Sequence, residues 1–360
     1  MEPFNFFIFG VTGHLAQNKI LPALENLKSR GNLPEKTSII GIGRRENFGG
    51  NLEYLRGDFS DDELYRKIKD ATKKSATKNN IFYLATYPSL YALIFANLKK
   101  MGLTDEKEGY SRIIIEKPIG ADLSSAKVLN NLMRDYFTDK QIYRIDHYLG
   151  KESLRNLYDS KFEPTEIKNI QVSVLEKGGV DGRGEYYEQV GALKDVGQNH
   201  ILQMLASVIS DSPETRAEAI SSLESDPKKI IFGQYSDYKK EEEVSPTSET
   251  DTYFSLEAQI ISGPFKGIPV YLRSGKKMHE SVTKIDVVLK SGKVETFKMN
   301  DPEAYEKLIM ETANGNSKYF VGEKEVEAEW NFIDPLTKNR TNPVIYKEGS
   351  LGPKDNFPWV

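Results

Sequence analysis

The sequence predicts an α/β protein built as two domains. Residues 1–148 form a doubly wound, Rossmann-like domain, and residues 149–360 form an α+β domain with a mainly antiparallel sheet. Three features of the chain lead there. Its 360 residues exceed what one hydrophobic core usually organises. In the first part, short apolar runs alternate with helix-spaced segments. In the second part, runs of period two cluster apart from the helical stretches.

Taken in order, NFFIF at Asn5–Phe9 is a short apolar run ending before Gly10 and reads as a buried parallel strand. Over residues 14–27, Leu15, Ile20, Leu24 and Leu27 recur at helical spacing. Residues 38–42, 81–85 and 112–115 are further strand candidates, with helical patterns at 62–72 and 90–101. Ile167–Leu175 alternates as an antiparallel strand does. Residues 192–210 read as a long, mostly apolar helix and 217–223 as a shorter one. Residues 253–261 and 270–273 read as strands, and 284–290 with 294–299 as a hairpin around Ser291-Gly292. The run KKEEEVSPTSET at 239–250 is the least foldable stretch and reads as a surface loop.

Composition narrows the function. Net charge is −4 with both signs mixed along the chain, so no basic stripe for nucleic acid is present. There are no cysteines, which removes disulfides, thiolate nucleophiles and Cys-ligated metals. No apolar window approaches the ~18 residues of a membrane span, and the opening MEPFNFFIFGVTG lacks a signal h-region. A cytoplasmic protein with no membrane or nucleic-acid partner is expected.

GVTGHLA at 10–16 joins a strand to a helix. Gly10 and Gly13 would let backbone approach a pyrophosphate at a helix N-terminus, although any strand-to-helix turn favours glycine. The second strand ends in Gly43-Arg44-Arg45. An acid there would select NAD, whereas the Arg44 guanidinium can grip the 2′-phosphate of NADP; the other reading is a solvated pair. The strand at 112–115 runs into EKPIG, where Lys117 can reach substrate or cofactor and Pro118 suits a cis bond or a plain strand-ending turn.

YRIDHYLGKE at 143–152 crowds titratable groups between Ile145 and Leu149. From about Leu149 the pattern becomes helical, and with an early helix start His147 and Lys151, four apart, can face one dianion pocket. Asp146 would then need a partner, and a second histidine serves. That histidine is His200 in DVGQNHILQML. A core histidine is the usual reading on such an apolar face, but Asp195 and the preceding GRGEYYEQVG make the spot more polar.

Together these stretches resemble the glucose-6-phosphate dehydrogenase family. RIDHYLGKE at 144–152 matches its signature letter for letter. The EKP strand end, the GRG turn leading to DVGQNH, RSGK at 273–276, DPEAYEKLI at 301–309, EVEAEW and the GSLGP tail match in order. The resemblance implies NADP-linked oxidation of glucose 6-phosphate at carbon 1 to the 6-phosphogluconolactone, the first step of the oxidative pentose phosphate pathway, without a metal. It implies His200 as general base and Asp146 as the carboxylate that orients it. His147, Tyr148 and Lys151 match the phosphate grip. Lys117, Glu176, Asp195 and Lys276 match sugar contacts, and Gly10, Gly13, Leu15, Arg44, Lys117 and Pro118 the coenzyme side.

Three departures stand out. His14 replaces the usual Asp of the glycine turn, and Ser281 stands near an expected basic residue. The stretch between IDVVLK and DPEAY is short, so a smaller sheet, an altered homo-oligomer face and no structural NADP site are expected. Two rivals are a sugar oxidoreductase of the glucose–fructose oxidoreductase type and a non-catalytic regulatory paralogue. Retention of Asp146, His200 and Lys117 favours catalysis.

Overall fold

Six short runs dominated by apolar residues form one all-parallel sheet in the first part of the computed structural model. They are β1 (Asn5–Phe9), β2 (Ser38–Gly43), β3 (Glu53–Arg56), β4 (Asn80–Leu84), β5 (Ser111–Glu116) and β6 (Ile142–Ile145). Their order is β3-β2-β1-β4-β5-β6, with Phe7 of β1 opposite both Ile40 and Phe82. The central strands read as unbroken apolar runs because both faces are covered. One face packs Phe6, Ile8, Tyr83, Ile114, Tyr143 and Ile145 with Ile20, Leu24, Leu308 and Phe320. On the other, Phe7 stacks on Phe82 at 5.2 Å and Phe9 meets Phe59 edge-on at 5.6 Å.

Residues 1–46, 48–49, 52–160, 162–301, 304–338 and 340–360 are described; Pro302 and Glu303 of the DPEAY motif lie outside them. The chain divides into two units. One comprises Met1–Ile119, Lys127–Gly150 and Glu303–Val321; the other comprises Gly120–Ala126, Lys151–Pro302 and Gly322–Val360. The helix Tyr305–Asn314 therefore belongs to the parallel-sheet unit, where Tyr305, Leu308 and Ile309 join its core.

The helix after β1 is not uniform. Ala16–Ile20 is π-wound and Leu21–Ser29 is α-helical. Pro22 explains the change: it has no N–H to donate, and its ring crowds the carbonyl four residues back, so the preceding turn widens. No helix among the described residues is long and apolar enough to cross a membrane.

The second unit holds an eight-stranded mixed sheet. Its strands are β7 (Ile167–Leu175), β8 (Leu223–Glu224), β9 (Ile230–Tyr235), β10 (Tyr253–Ile260), β11 (Pro269–Gly275), β12 (Val282–Leu289), β13 (Val294–Lys298) and β14 (Val344–Tyr346). The order is β13-β12-β7-β11-β10-β9-β14, with β8 against β10. Pairing is antiparallel except for β7 with β11 and β9 with β14. The expected hairpin forms between β12 and β13, with Gly292 at φ +87° in its turn.

β7 alternates chemically but not in exposure. Ile170, Val172 and Val174 face apolar neighbours, while Asn169, Gln171 and Ser173 on the other face are buried too. The C-terminal segment covers them. Gln171 donates to the Pro358 carbonyl at 2.6 Å and accepts from the Val360 N–H at 3.1 Å. The loop at 239–250 is tied rather than loose, because Glu188 accepts from Tyr238 at 2.7 Å and Ser248 at 2.6 Å. Gln234, which donates to the carbonyls of Ser248 at 3.1 Å and Thr250 at 2.9 Å, and Tyr235, which donates to Glu241 at 2.9 Å, help to order a stretch whose composition alone would leave it unfolded.

Candidate functional site

In an open parallel sheet the C-terminal strand ends carry the ligand site, at the point where strand order reverses. Here that point is β1, flanked by β2 and β4. The chain leaves β1 at Gly10, whose φ is +81°; a Cβ there would meet the Ala85 carbonyl oxygen at 2.5 Å. Only glycine allows that approach. Gly13 donates to the Gly10 carbonyl at 2.9 Å and closes the turn. Leu15 anchors the helix start on the core, while His14 is exposed. At the end of β2, Arg44 is 76% exposed and lies 3.8 Å from Asp58. The Asp58 carboxyl is held below its ordinary range, first by bonds from Ser60 and then by Arg44.

β5 and β6 are neighbours, and their ends carry the two signature runs. The Lys117–Pro118 bond is cis. Glu116, just before it, accepts a hydrogen bond from the Tyr83 hydroxyl. Burial pushes the Glu116 carboxyl up to about 7, against the Tyr83 bond and Lys117, with Asp146 adding to the rise. Burial, then the Glu116 charge, holds the Tyr83 hydroxyl well above its ordinary range.

After β6 the chain turns rather than entering a helix. Asp146, 2% exposed, accepts from the Tyr148 N–H at 2.9 Å, and its carbonyl accepts from Leu149 at 3.1 Å. The His147 ring stacks on Tyr305 with centroids 6.2 Å apart and planes 19° from parallel. The first helical residue is Glu152, with Lys151 as its N-cap. The expected helix from Leu149 does not form, because the Asp146 carboxylate captures the backbone in a tight turn. His147 and Lys151 therefore do not share a helix face.

The second unit carries the other predicted residues. Lys151 donates to the carbonyls of Met299 at 3.0 Å and Asp301 at 3.2 Å. Asp195 and His200, 8% and 4% exposed, lie on Leu193–Ile201, a π-helix of nine residues followed by the α-helix Leu202–Ile209. In π winding each N–H bonds the carbonyl five residues back, so Asp195 and His200, five apart, stack in adjacent turns. The segment starts from Gly191 at φ +65°. There the Asp251 carboxylate accepts from the Leu193 N–H at 2.9 Å and pairs with Arg340 at 2.9 Å.

Asp195 also accepts from the Tyr186 hydroxyl at 3.2 Å, and burial followed by that carboxylate holds the Tyr186 hydroxyl far above its ordinary range. The Lys276 ammonium, 4% exposed, reaches both Glu176 oxygens at 2.7 Å. Ser281 accepts from the Lys177 N–H at 2.9 Å and so braces a turn. The structure thus groups Gly10, Gly13, Leu15, Arg44, Lys117, Pro118, Asp146, His147 and Tyr148 in one unit. Lys151, Glu176, Asp195, His200 and Lys276 fall in the other.

Sequence reasoning missed Glu116, Tyr83, Tyr305 and Asp251. The tyrosines sit at core positions of apolar runs, where nothing marks a hydroxyl as bonded. Glu116, inside the EKP motif, was open to notice as an acid at the end of an apolar strand.

Comparison with known proteins gives the family. The family model for the glucose-6-phosphate dehydrogenase NAD binding domain matches residues 7–48 and 45–156, and that for its C-terminal domain matches 154–301 and 289–359. Glucose-6-phosphate 1-dehydrogenase of Bacillus subtilis is 30% identical over 464 aligned residues, covering 97% of this chain and 95% of the relative. The Borreliella burgdorferi enzyme is 30% identical over 98% of this chain and 95% of its own length.

Among solved structures, a Mycobacterium avium glucose-6-phosphate 1-dehydrogenase superposes with a TM-score of 0.84 at 28% identity, covering 98% of this chain and 96% of that one. A glucose-6-phosphate dehydrogenase in complex with glucose 6-phosphate gives 0.86 at 26% identity, with the same coverage. The 3-ketoreductase KijD10 of Actinomadura kijaniata, at 15% identity and a TM-score of 0.56, shares the fold alone; it covers 96% of this chain and 99% of its own. A glycine turn, an EKP strand end and a RIDHYLGKE turn stand on one parallel sheet, two family models span the length of the chain, and the chain belongs to the glucose-6-phosphate dehydrogenase family.

Proposed function

We propose that the chain oxidises carbon 1 of β-D-glucose 6-phosphate to 6-phospho-D-glucono-1,5-lactone, as a glucose-6-phosphate 1-dehydrogenase using NADP+. The observation that carries the reading is the row of strand ends in the parallel sheet. There the glycine turn after β1 accompanies Lys117 at the end of β5 and Asp146, His147 and Tyr148 after β6. The relative solved with glucose 6-phosphate aligns with 98% of this chain, which supports the substrate.

The coenzyme fits the residues present. A side chain at position 10 would strike the Ala85 carbonyl and push the glycine turn off the end of β4, and among the described residues the exposed Arg44 guanidinium has a 3.8 Å contact to Asp58 to give up. Gly10, Gly13, Leu15, Lys117 and Pro118 are assigned to hold NADP+, with Arg44 on its 2′-phosphate. Once bound, NADP+ supplies the hydride acceptor. His200 takes the proton of the carbon-1 hydroxyl on an imidazole nitrogen, a task suited to a positioned imidazole base. Asp146 is assigned to orient that ring and to stabilise its charged form. His147, Tyr148 and Lys151 grip the phosphate, so binding energy far from carbon 1 aligns the reacting atoms. Lys117, Glu176, Asp195 and Lys276 hold sugar hydroxyls. A cytoplasmic setting suits a chain without cysteine.

The test is an absorbance assay crossing glucose and glucose 6-phosphate with NADP+ and NAD+. Reduction of NADP+ with glucose 6-phosphate at a far higher kcat/KM than with glucose is expected. Equal rates with the two sugars would point to the glucose–fructose oxidoreductase type, and no turnover to a regulatory paralogue. His200→Asn should lower kcat by about 10²–10⁴ while glucose 6-phosphate still binds in calorimetry.

A further inference from the structure

The buried π-helix Leu193–Ile201 is gripped from the side by one carboxylate. Glu329, on the helix Glu323–Lys338 and 2% exposed, accepts from Gln198 Nε2 at 3.0 Å and from Gln203 Nε2 at 2.7 Å, one bond to each of its oxygens. The two glutamines are five residues apart, Gln198 in the π-helix and Gln203 in the α-helix Leu202–Ile209 that continues it. At α-helical winding, residues five apart point about 140° from one another, poorly placed to share a single carboxylate. The π winding that runs from Gln198 to Ile201 reduces that angle and turns both side chains toward one side. The same offset separates Asp195 from His200, so the register that brings both glutamines onto Glu329 also stacks those two residues.

The clamp is itself anchored. Gln203 reaches Glu325 at 3.3 Å, and Glu325 pairs with Arg216 at 2.6 Å. Gln198, Gln203, Glu325 and Arg216 are all buried. Burying carboxylates in this way is seldom the most stable packing available. A role in fixing one helical register explains their presence better than stability does.

We propose that Glu329 is a positioning residue for the dehydrogenase reaction: by bonding Gln198 and Gln203 together it fixes the π register that aims His200. The proposal rests on the reading of His200 as the base, and His200→Asn measured in parallel keeps the two claims apart.

Glu329→Gln keeps the side-chain size but turns one acceptor oxygen into a donor facing a glutamine donor. kcat should fall by about tenfold or more, with KM for NADP+ unchanged and circular dichroism as in the parent protein. Exchanging the pair, Gln198→Glu with Glu329→Gln, restores a donor and an acceptor at each contact, and kcat should recover to within about threefold. A merely structural role predicts a lowered Tm with kcat intact in the folded variant, and no recovery specific to the exchange.

If His200→Asn abolishes turnover while folded Glu329→Gln keeps its kcat, the clamp is overturned and the base reading survives. If His200→Asn turns over normally, the base reading fails and the clamp falls with it. Should Glu329→Gln not fold, the exchange variant decides: folded and active supports the clamp, folded and inactive overturns it.

Discussion

At the scale of single residues, Glu116 makes a prediction that needs no ligand. Its carboxyl is pushed up to about 7 in the folded protein by burial, against an ordinary 4.5. Between those values the native state holds a proton that the unfolded chain has released, so stability falls as pH rises. The stabilisation is fully present below pH 4.5 and gone above about pH 7. Allowing for the partial solvent access of Glu116, the loss should be on the order of 2 kcal/mol. Urea unfolding at several values across that window should show the decline in the parent protein and a flatter line in Glu116→Gln. Parallel lines would refute the assignment. Arg44 makes a second prediction: Arg44→Ala should narrow the kcat/KM preference for NADP+ over NAD+ by about tenfold, the worth of one charge-assisted hydrogen bond. An unchanged ratio would hand the 2′-phosphate to another group.

At the scale of elements, the π-helix bearing Asp195 and His200 depends on how it begins. Gly191 has φ +65° and ψ 174°, a region nearly reserved for glycine, and a Cβ there would lie 2.4 Å from Asp251 Oδ1. Gly191→Ala should therefore cost about 3 kcal/mol or more, measured as a lowered urea midpoint at unchanged m-value. The helix itself was readable from its apolar run over 192–210, but its winding was not, because periodicity does not separate α from π over two turns. Strand positions followed hydrophobic runs wherever those were unbroken, as in β1, β4, β5 and β12. β3, β9 and β14 escaped for physical reasons. β3 is an edge strand with Glu53 and Arg56 exposed. Gly233 interrupts β9, where a Cβ would strike Pro353 at 2.6 Å. β14 is three residues long. In the candidate site, the sequence marks residues with distinctive chemistry in a motif, whereas it does not mark tyrosines whose hydroxyls matter only through their partners.

At the scale of the whole molecule, chain order and spatial order part company. The parallel sheet of the first unit is complete by β6, yet its core is not. Tyr305, Leu308, Ile309 and Phe320 return to it from more than a hundred residues further on, and all are buried against Phe6, Ile8, Tyr143 and Ile145. Arg112 of β5 donates to the carbonyls of Thr312 at 2.7 Å and Ala313 at 2.8 Å, capping the end of the returning helix. Fully burying each large apolar side chain is worth about 1.5–3 kcal/mol. Four of them amount to a sizeable part of the ~5–15 kcal/mol that keeps a domain folded. A fragment ending at residue 150 holds every strand of the sheet and every glycine of its turn, but leaves that face uncovered. It should bind a hydrophobic dye and unfold without a cooperative transition. Appending residues 304–321 through a flexible linker should restore a single transition by closing the same core. A cooperative fragment without the appended segment would show that the returning helix only decorates the sheet.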